Sequence, residues 1–446
     1  MTRVSLVVAL LCCLLPAARA QGETLTLQRA IAMALAANAD VDAARAAQAE
    51  AAAGRDAASR AWLPRVTLEE GWQRGDQPVF VFGSLLAQQR FTEANFAVQS
   101  LNHPAPLSNH RAAVLLQQSI FDAGNMRARA DAAAASFALS GVDHRRVEAD
   151  TAVAVVRAYG DALIAEASGR VARAAIQSTT QDIARAEARH DRGLATAADV
   201  LSLKVHLAEM QARAISADGE ARIARAQLNS VLGVATDTDW ELVPPPVTTP
   251  RITPALDVSL ADRPDVSAAA IQVDAADAAA REARTLLMPR VGVEGGYEWN
   301  GSSWTNRAAA WLVGVRAELS LSVGGAEAAR ARAAAHAVER ARAQKTSVER
   351  AARVDLLAAR ERLDAALARE DVAIGAVSHA RESERIIRER YEAGLAGVTD
   401  VLHAADAVLA AESLEITSHV DALVASVMLD RALGRIPDVT PSGGQP

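Results

Sequence analysis

Apolar residues recur along the chain in two distinct periods. In residues 199–232 they are spaced alternately three and four positions apart. This spacing is typical of a coiled-coil seam, and it predicts a helix that packs along a second helix. The seam comprises Val200, Leu203, Leu207, Met210, Ala214, Ala217, Ala221, Ala224, Leu228 and Val231.

Two longer segments contain almost no helix breakers. Residues 125–192 and 326–393 have no proline and few glycines in a background of Ala, Arg, Asp and Glu. Each predicts a helix of about 100 Å, and a second helix follows after a short break, over 199–232 and 400–433. In the breaks, Gly193 and Gly394 suit the left-handed residue that ends a helix, and Asp199 and Asp400 suit the first turn of the next.

The second period is two residues. Residues 291–299 and 311–322 alternate apolar and polar side chains, and their first-half counterparts are 66–72, continuing through 79–82, and 112–120. This alternation predicts four strands, each with one apolar and one mostly polar face. A transmembrane barrel needs about eight strands or more and tolerates no open edge in lipid, so four strands require assembly with further copies.

The order of these elements occurs twice. Ala39-Asp40-Val41 recurs as Pro264-Asp265-Val266 and Pro64-Arg65-Val66 as Pro289-Arg290-Val291, at an offset of 225 residues, whereas Gly193-Leu194 and Gly394-Leu395 are 201 apart. The first half therefore carries a 24-residue insertion between Pro64 and Gly124. The offset is too long for a solenoid unit and indicates a duplicated module, with repeats over 21–234 and 264–434.

The remaining segments lie at the ends and between the repeats. Residues 1–20 have a basic start, an apolar run and a small-residue cleavage pattern before Gln21, as in a secretory signal peptide. Both cysteines, Cys12 and Cys13, fall inside that run, so the mature chain would have no thiol chemistry. The proline-rich stretch 235–263 predicts a stiff linker, and 435–446 predicts a flexible tail.

Charge and composition narrow the function classes. Without Arg3 and Arg19, 45 basic side chains stand against 54 acidic ones, and a net charge of −9 disfavours nucleic-acid binding. No later stretch has 18 consecutive apolar residues, which excludes a transmembrane helix. The nine histidines have no metal-ligand spacing and no phosphate loop or nucleophile motif is present, so we expect neither an enzyme nor a cofactor or metal site.

Aromatic side chains, only 3% of the chain, concentrate in the predicted strands. Aromatics favour strands in general. In an exported protein so poor in them, we interpret the concentration as a girdle at a lipid interface. The predicted girdle comprises Trp72, Phe80, Phe82, Tyr297, Trp299 and Trp311.

Several short segments of the chain resemble the recurring segments of the TolC-like outer-membrane efflux protein family. Their order along the chain and their duplication add to the resemblance. The similarity extends from about Leu25 to Gly434. It is carried by Leu25-Thr26-Leu27-Gln28-Arg29-Ala30, Leu63-Pro64-Arg65, Phe121-Asp122-Ala123-Gly124, Tyr391-Glu392-Ala393-Gly394-Leu395 and Asp400-Val401-Leu402.

The resemblance implies a mainly α fold with a transmembrane β-barrel. A homotrimer would form a periplasmic α-helical barrel of coiled-coil hairpins and a 12-stranded β-barrel in the outer membrane, with four strands from each chain. The expected partners are outer-membrane lipid, a periplasmic adaptor protein and an inner-membrane pump. By position, Gly193, Leu194, Asp199, Gly394 and Leu395 resemble the hairpin tips that contact the adaptor.

The resemblance also implies a gate at the periplasmic mouth. Asp400 resembles the first acidic gate position, whereas His403 stands where the best-known member has a second aspartate. The two residues are three positions apart and so share one side of a helix. Because imidazole changes charge near neutral pH, we expect a pH-dependent, cation-favouring gate, unless His403 packs on a neighbouring helix.

These observations favour the outer-membrane channel of a tripartite efflux system, a passive trimeric duct from the periplasm to the exterior. One alternative is the outer-membrane channel of a type I protein secretion system. The other, from a different class, is a periplasmic structural coiled coil without a pore. That alternative would account for the helical seams but not for the alternating aromatic strands.

Overall fold

The computed structural model describes residues 23–245 and 259–436. The predicted signal peptide, much of the linker and nearly all of the tail lie outside these residues. The described chain forms two compact units, one of residues 23–45, 144–245, 259–264 and 350–436 and the other of residues 46–143 and 265–349. The elements in chain order are β1 Glu23–Leu25, α1 Leu27–Ala37, α2 Ala39–Ser59, β2 Arg65–Gly75, α3 Pro78–Ala87, a 3-10 turn Glu93–Phe96, α4 Val98–Asn102, β3 Leu107–Phe121, α5 Asn125–His190, α6 Ala197–Leu232, β4 Trp240–Leu242, α7 Pro264–Thr285, β5 Arg290–Gly301, β6 Arg307–Glu318, α8 Ala326–Glu392 and α9 Val398–Ala432.

The four helices predicted from residue spacing are confirmed, with ends within a few residues of the expected ones. α5 and α8 contain 66 and 67 residues, and each is followed by its partner, α6 or α9, after a short turn. Their interiors hold no proline, and the alanine background favours helix. Among the described helices, none has the length and apolarity needed to cross a membrane.

The second unit contains the four long strands. They form one antiparallel sheet in the order β2-β3-β5-β6, so β2 and β6 are its edges. Cross-strand partners point to the same face of a sheet. Leu68, Val114, Tyr297 and Trp311 are such a row, which places them on one face, while Glu69, Ala113, Glu298 and Ala310 form a row on the other.

The sheet thus has the predicted apolar and polar faces. The ladder puts Trp72 and Trp299 on the face of Tyr297 and Trp311, and the Tyr297 and Trp299 rings meet edge to face at 4.8 Å. On the polar face, Arg111 donates to Glu298 at 2.9 Å and to Glu69 at 3.0 Å. Alternation along each strand therefore places these aromatic rings and the Arg111 ion pairs on opposite faces, although the aromatic face also carries an ion pair, between Arg307 and Glu70 at 3.0 Å.

The predicted continuation of the first strand through residues 79–82 is wrong. β2 ends at Gly75, and Phe80 and Phe82 lie on α3, a helix in the connection between β2 and β3. Pro78 occupies the first turn of α3, where its missing N–H costs no hydrogen bond, and a short apolar run does not by itself distinguish helix from strand. These two rings are therefore not part of the sheet's aromatic face.

The connection between β2 and β3 spans residues 76–106, whereas that between β5 and β6 spans only 302–306. The longer one folds onto the polar face, because Gln88 donates to the Asn109 side chain at 3.0 Å and Asn109 donates to Asn300 at 2.8 Å. The rings of Phe82, Phe91 and Phe96 stack edge to face beside them. The alternation predicted for 311–322 also ends early, since β6 stops at Glu318.

The core of the first unit surrounds Tyr159 of α5, which is fully buried. Its hydroxyl lies 2.7 Å from the carbonyl oxygens of Leu25 and Val243 and accepts a hydrogen bond from the Val243 N–H at 2.9 Å. Burial raises the pKa of Tyr159 to about 12. This one side chain thus joins the short parallel strands β1 and β4, which residue spacing did not predict, to the long helix.

Candidate functional site

The first hairpin tip joins α5 to α6 through residues 191–196. Gly193 has φ +72, and the Leu194 N–H bonds the Arg189 carbonyl at 2.9 Å, which closes the end of α5. Thr196 and Asp199 then form a reciprocal capping box at the start of α6, with hydrogen bonds of 2.9 and 3.2 Å. Asp199 therefore lies in the first turn of α6, as predicted, and its carboxylate caps that helix.

The second tip, residues 393–397, repeats this arrangement with one difference. Gly394 has φ +76, and the Leu395 N–H bonds the Arg390 carbonyl at 2.8 Å. The residue before α9 is Gly397, which has no side chain to cap the helix, so only the Asp400 half of the box forms, accepting from the Gly397 N–H at 2.8 Å. Leu194 and Leu395 stand at equivalent points and are 66% and 71% exposed.

Arg189 connects the two tips. One of its terminal nitrogens donates to the carbonyl oxygens of Tyr391 and Glu392, both at 2.9 Å, and its guanidinium lies 5.0 Å from the centre of the Tyr391 ring. These carbonyls belong to the last turn of α8, where a helix presents free acceptors and partial negative charge. A cation from the first hairpin therefore stabilises the end of the long helix of the second.

An apolar cluster lies directly behind the tips. It comprises Ile183, Ala186, Val200, Leu203, Tyr391, Val398 and Val401. Tyr391 is buried there, and its hydroxyl has no hydrogen-bond partner among the described residues. Burial raises the pKa of Tyr391 from its ordinary value.

Next to this cluster is a charged group around Asp182, whose side chain is only 10% exposed. Its carboxylate lies 3.1 Å from Arg185 and 3.3 Å from Arg388, and Arg388 also pairs with Glu384 at 2.7 Å. Burial raises the pKa of Asp182, and the two arginines oppose that shift only in part. The ionised carboxylate is therefore the costly form at this position.

The two predicted gate residues are on the surface of α9. Asp400 is exposed and uses its carboxylate to cap the helix, and His403 is exposed with no hydrogen bond or ion pair to any described residue. Among the described residues, Asp400 and His403 form neither a hydrogen bond nor an ion pair with each other. The gate role of the two residues therefore stays a prediction.

The residues behind the tips were not predicted as functional. Arg189 and Arg390 occupy equivalent positions in the repeat, and nothing in the sequence distinguishes them. Of these two side chains, only Arg189 forms a hydrogen bond to the opposite hairpin within the described residues. Asp182 and Arg388 are 206 residues apart. In the part of the chain that the structure describes, no group of three His, Cys, Asp or Glu side chains could hold a metal ion.

A model of the outer membrane efflux protein family matches residues 30–234 and 255–435. This match covers most of both repeats, and the chain belongs to that family. It is a TolC-like protein of the outer membrane. No curated protein matches the chain.

Solved structures of outer membrane channels share the fold. VceC from Vibrio cholerae matches with a TM-score of 0.77 and 20% identity over 92% of this chain and 96% of its own. CmeC from Campylobacter jejuni matches with a TM-score of 0.80 and 16% identity over 92% of this chain and 85% of its own. The open state of MtrE from Neisseria gonorrhoeae matches with a TM-score of 0.72 and 17% identity over 94% of this chain and 91% of its own. The fold is therefore that of channels built from an α-helical barrel and a β-barrel.

Proposed function

We propose that three copies of this chain form the outer-membrane duct of a tripartite efflux system, through which solutes pass passively from the periplasm to the exterior. The observation that carries the proposal is the sheet of β2, β3, β5 and β6. It has an apolar face with aromatic side chains, a charged face, and two edges without a strand partner among the described residues. Such edges are not tolerated in lipid, so pairing of β2 with β6 of a neighbouring copy is the simplest closure.

The helical hairpins support the same assignment. The two tips present exposed leucines on glycine turns of equal conformation, and a periplasmic adaptor coupled to an inner-membrane pump is the partner proposed for them. The chain itself supplies a conduit rather than a catalyst, and the pump supplies the energy.

The assembly can be tested by disulfide cross-linking, because both native cysteines precede Gln21. We would place one cysteine on β2, at Thr67, and scan a second along β6 from Ala310 to Gly314. Membrane-extracted protein should form dimers and trimers on oxidation. A matched control, Ala113→Cys with Glu298→Cys, joins register partners within one chain and should form no covalent link between chains. A chain that is soluble and monomeric without detergent would contradict the proposal.

Docking can be tested separately at the glycine turns. Gly394→Val forces a β-branched residue into a left-handed conformation, at a cost of about 1–2 kcal/mol. A new Cβ would meet only Arg189 Nη2, at 3.9 Å, which is an ordinary van der Waals contact. We expect lower export of a pump substrate while the trimer stays intact. The control is Gly375→Val within α8, where the backbone is regular and nothing lies within 4 Å of the added Cβ. Unchanged export by Gly394→Val would remove the tips from the adaptor contact.

A further inference from the structure

A groove of about 820 Å³ lies at the end of the sheet where β2 and β5 begin. Its walls are the first residues of β2 and β5, the last residues of β6 and the turn after α2. The charged side chains that line it are Arg60, Arg65, Arg290, Arg316, Glu294 and Glu318.

Strand register places the groove on the polar face. Arg65 is opposite Gln117, Gln117 is opposite Glu294, and Glu294 is opposite Gly314, so these positions form one row across the sheet. Arg290 and Glu318 are partners in a row nearer the strand ends. Since partners share a face, the charged groups converge on the side that also carries Glu298, away from the aromatic residues.

Positive charge predominates in the groove. Four arginines and two glutamates line it, which is a net charge of +2 in each chain. Arg316 pairs with Glu294 at 2.9 Å, whereas Arg60, Arg65 and Arg290 have no ion pair or hydrogen-bonded side chain among the described residues. Farther along the same face, Arg111 is bound by both Glu69 and Glu298. Among the described arginines of the polar face, those without an ion pair are therefore confined to this end of the sheet.

Assembly would change individual partners but not the total charge. Arg65 and Arg316 are on the edge strands, so a neighbouring copy could pair with either of them. The net charge of each chain is nevertheless fixed by the residues present, and three copies would carry +6 at this level. A concave surface with a net positive charge raises the local concentration of anionic solutes.

Both repeats contribute to the groove through the same short motif. Pro64-Arg65-Val66 and Pro289-Arg290-Val291 begin β2 and β5, and each puts an arginine at the first position of its strand. The proline can precede a strand because it has no N–H to contribute to the ladder. In addition, β3 has a register shift between Ser119 and Phe121, and Ser119 also lines the groove.

We propose that this arginine groove binds multivalent anions, namely solutes that carry clustered carboxylates or phosphates, as they pass along the polar face. The planar guanidinium donates two parallel hydrogen bonds to either group, and several free guanidinium groups in one concave site can engage an anion together. The inference rests on the proposed function only in taking the polar face as the lumen side. Binding itself does not depend on conduction.

The direct test is calorimetric titration of the detergent-solubilised full chain with inorganic pyrophosphate at low salt. We expect saturable binding that weakens as potassium chloride is raised, because salt screens the charges. Arg65→Gln with Arg290→Gln should reduce the affinity at least tenfold. The control is Arg74→Gln, an exposed arginine of β2 on the opposite face of the sheet, which should change the affinity less than twofold.

Arg60→Gln provides a second variant outside the strands, in the turn after α2, and should weaken binding severalfold without affecting the ladder. Absence of pyrophosphate binding by the wild type, or equal affinity of the wild type and the double variant, would overturn the inference. Failure of the proposed function would give a different result. Cross-linking would then yield no trimer, and the protein would produce no conductance in lipid bilayers. A conducting trimer that does not bind pyrophosphate would contradict only the proposal that the groove binds anions.

Discussion

Arg189 donates to the main-chain carbonyl of Tyr391 at 2.9 Å and lies over its ring, so a side chain of the first hairpin closes the end of the long helix in the second. Its repeat equivalent, Arg390, is exposed and has no such side-chain bond within the described residues. The duplicated sequence therefore produces an asymmetric contact. That asymmetry supplies a matched pair of variants.

Arg189→Ala should loosen the second tip. The side chain makes charge-assisted hydrogen bonds to free helix carbonyls, so we expect a loss of about 1–2 kcal/mol in local opening free energy. Amide hydrogen exchange over residues 390–397 should become faster. Arg390→Ala should leave exchange in this segment almost unchanged. Equal effects of the two substitutions would contradict the assigned contact.

The two buried tyrosines should respond in opposite ways to loss of the hydroxyl. Tyr391→Phe removes a buried hydroxyl that has no partner among the described residues, so we expect unchanged or slightly raised stability. Tyr159→Phe removes bonds to Leu25 and Val243 and should lower the free energy of unfolding by about 1–3 kcal/mol. Thermal unfolding of the purified variants measures both. A destabilised Tyr391→Phe trimer would place a partner for that hydroxyl on another copy.

Asp182 should make stability depend on pH in a definite direction. Its pKa is raised in the folded state because burial penalises the ionised carboxylate, so the folded state binds the proton more tightly than the unfolded chain. The resulting stabilisation is present below the ordinary pKa of aspartate and is lost as pH rises through the folded-state value.

The comparison is with Asp182→Asn, which cannot titrate. The unfolding midpoint of the wild type should rise relative to that of Asp182→Asn as pH falls from about 7 to about 4. A wild-type advantage that grows with rising pH would mean that the pairs with Arg185 and Arg388 outweigh burial.

The gate hypothesis now requires a variant that keeps the helix cap. Asp400→Asn retains an oxygen to accept from the Gly397 N–H but removes the charge, whereas an alanine would also remove the cap. In lipid bilayers, Asp400→Asn should reduce cation preference severalfold at every pH. His403→Ala should remove the change in selectivity between about pH 5 and pH 8. Identical pH profiles for the wild type and both variants would exclude these residues from the gate.

Residue periodicity was sufficient for the helices and for most of the sheet. Long segments without proline leave helix as the regular structure available, and alternation determines which side chains share a sheet face. It failed at Phe80 and Phe82, because four to eight apolar residues suit a buried strand and a short helix equally well. The hydrogen bonds of Gln88 with Asn109 and of Asn109 with Asn300 hold this connection against the polar face.

The sequence by itself determined the duplication, the left-handed turns at Gly193 and Gly394 and the family, because these depend on local conformation and on residue order. Only the tertiary structure showed that Arg189 rather than Arg390 bonds the opposite tip, that Asp182 lies between Arg185 and Arg388, and that Arg65 and Arg290 line one groove. These contacts join residues up to about two hundred and twenty-five positions apart. Long-range contacts depend on how the packed hairpins and strand register bring side chains together, and no local pattern encodes that proximity.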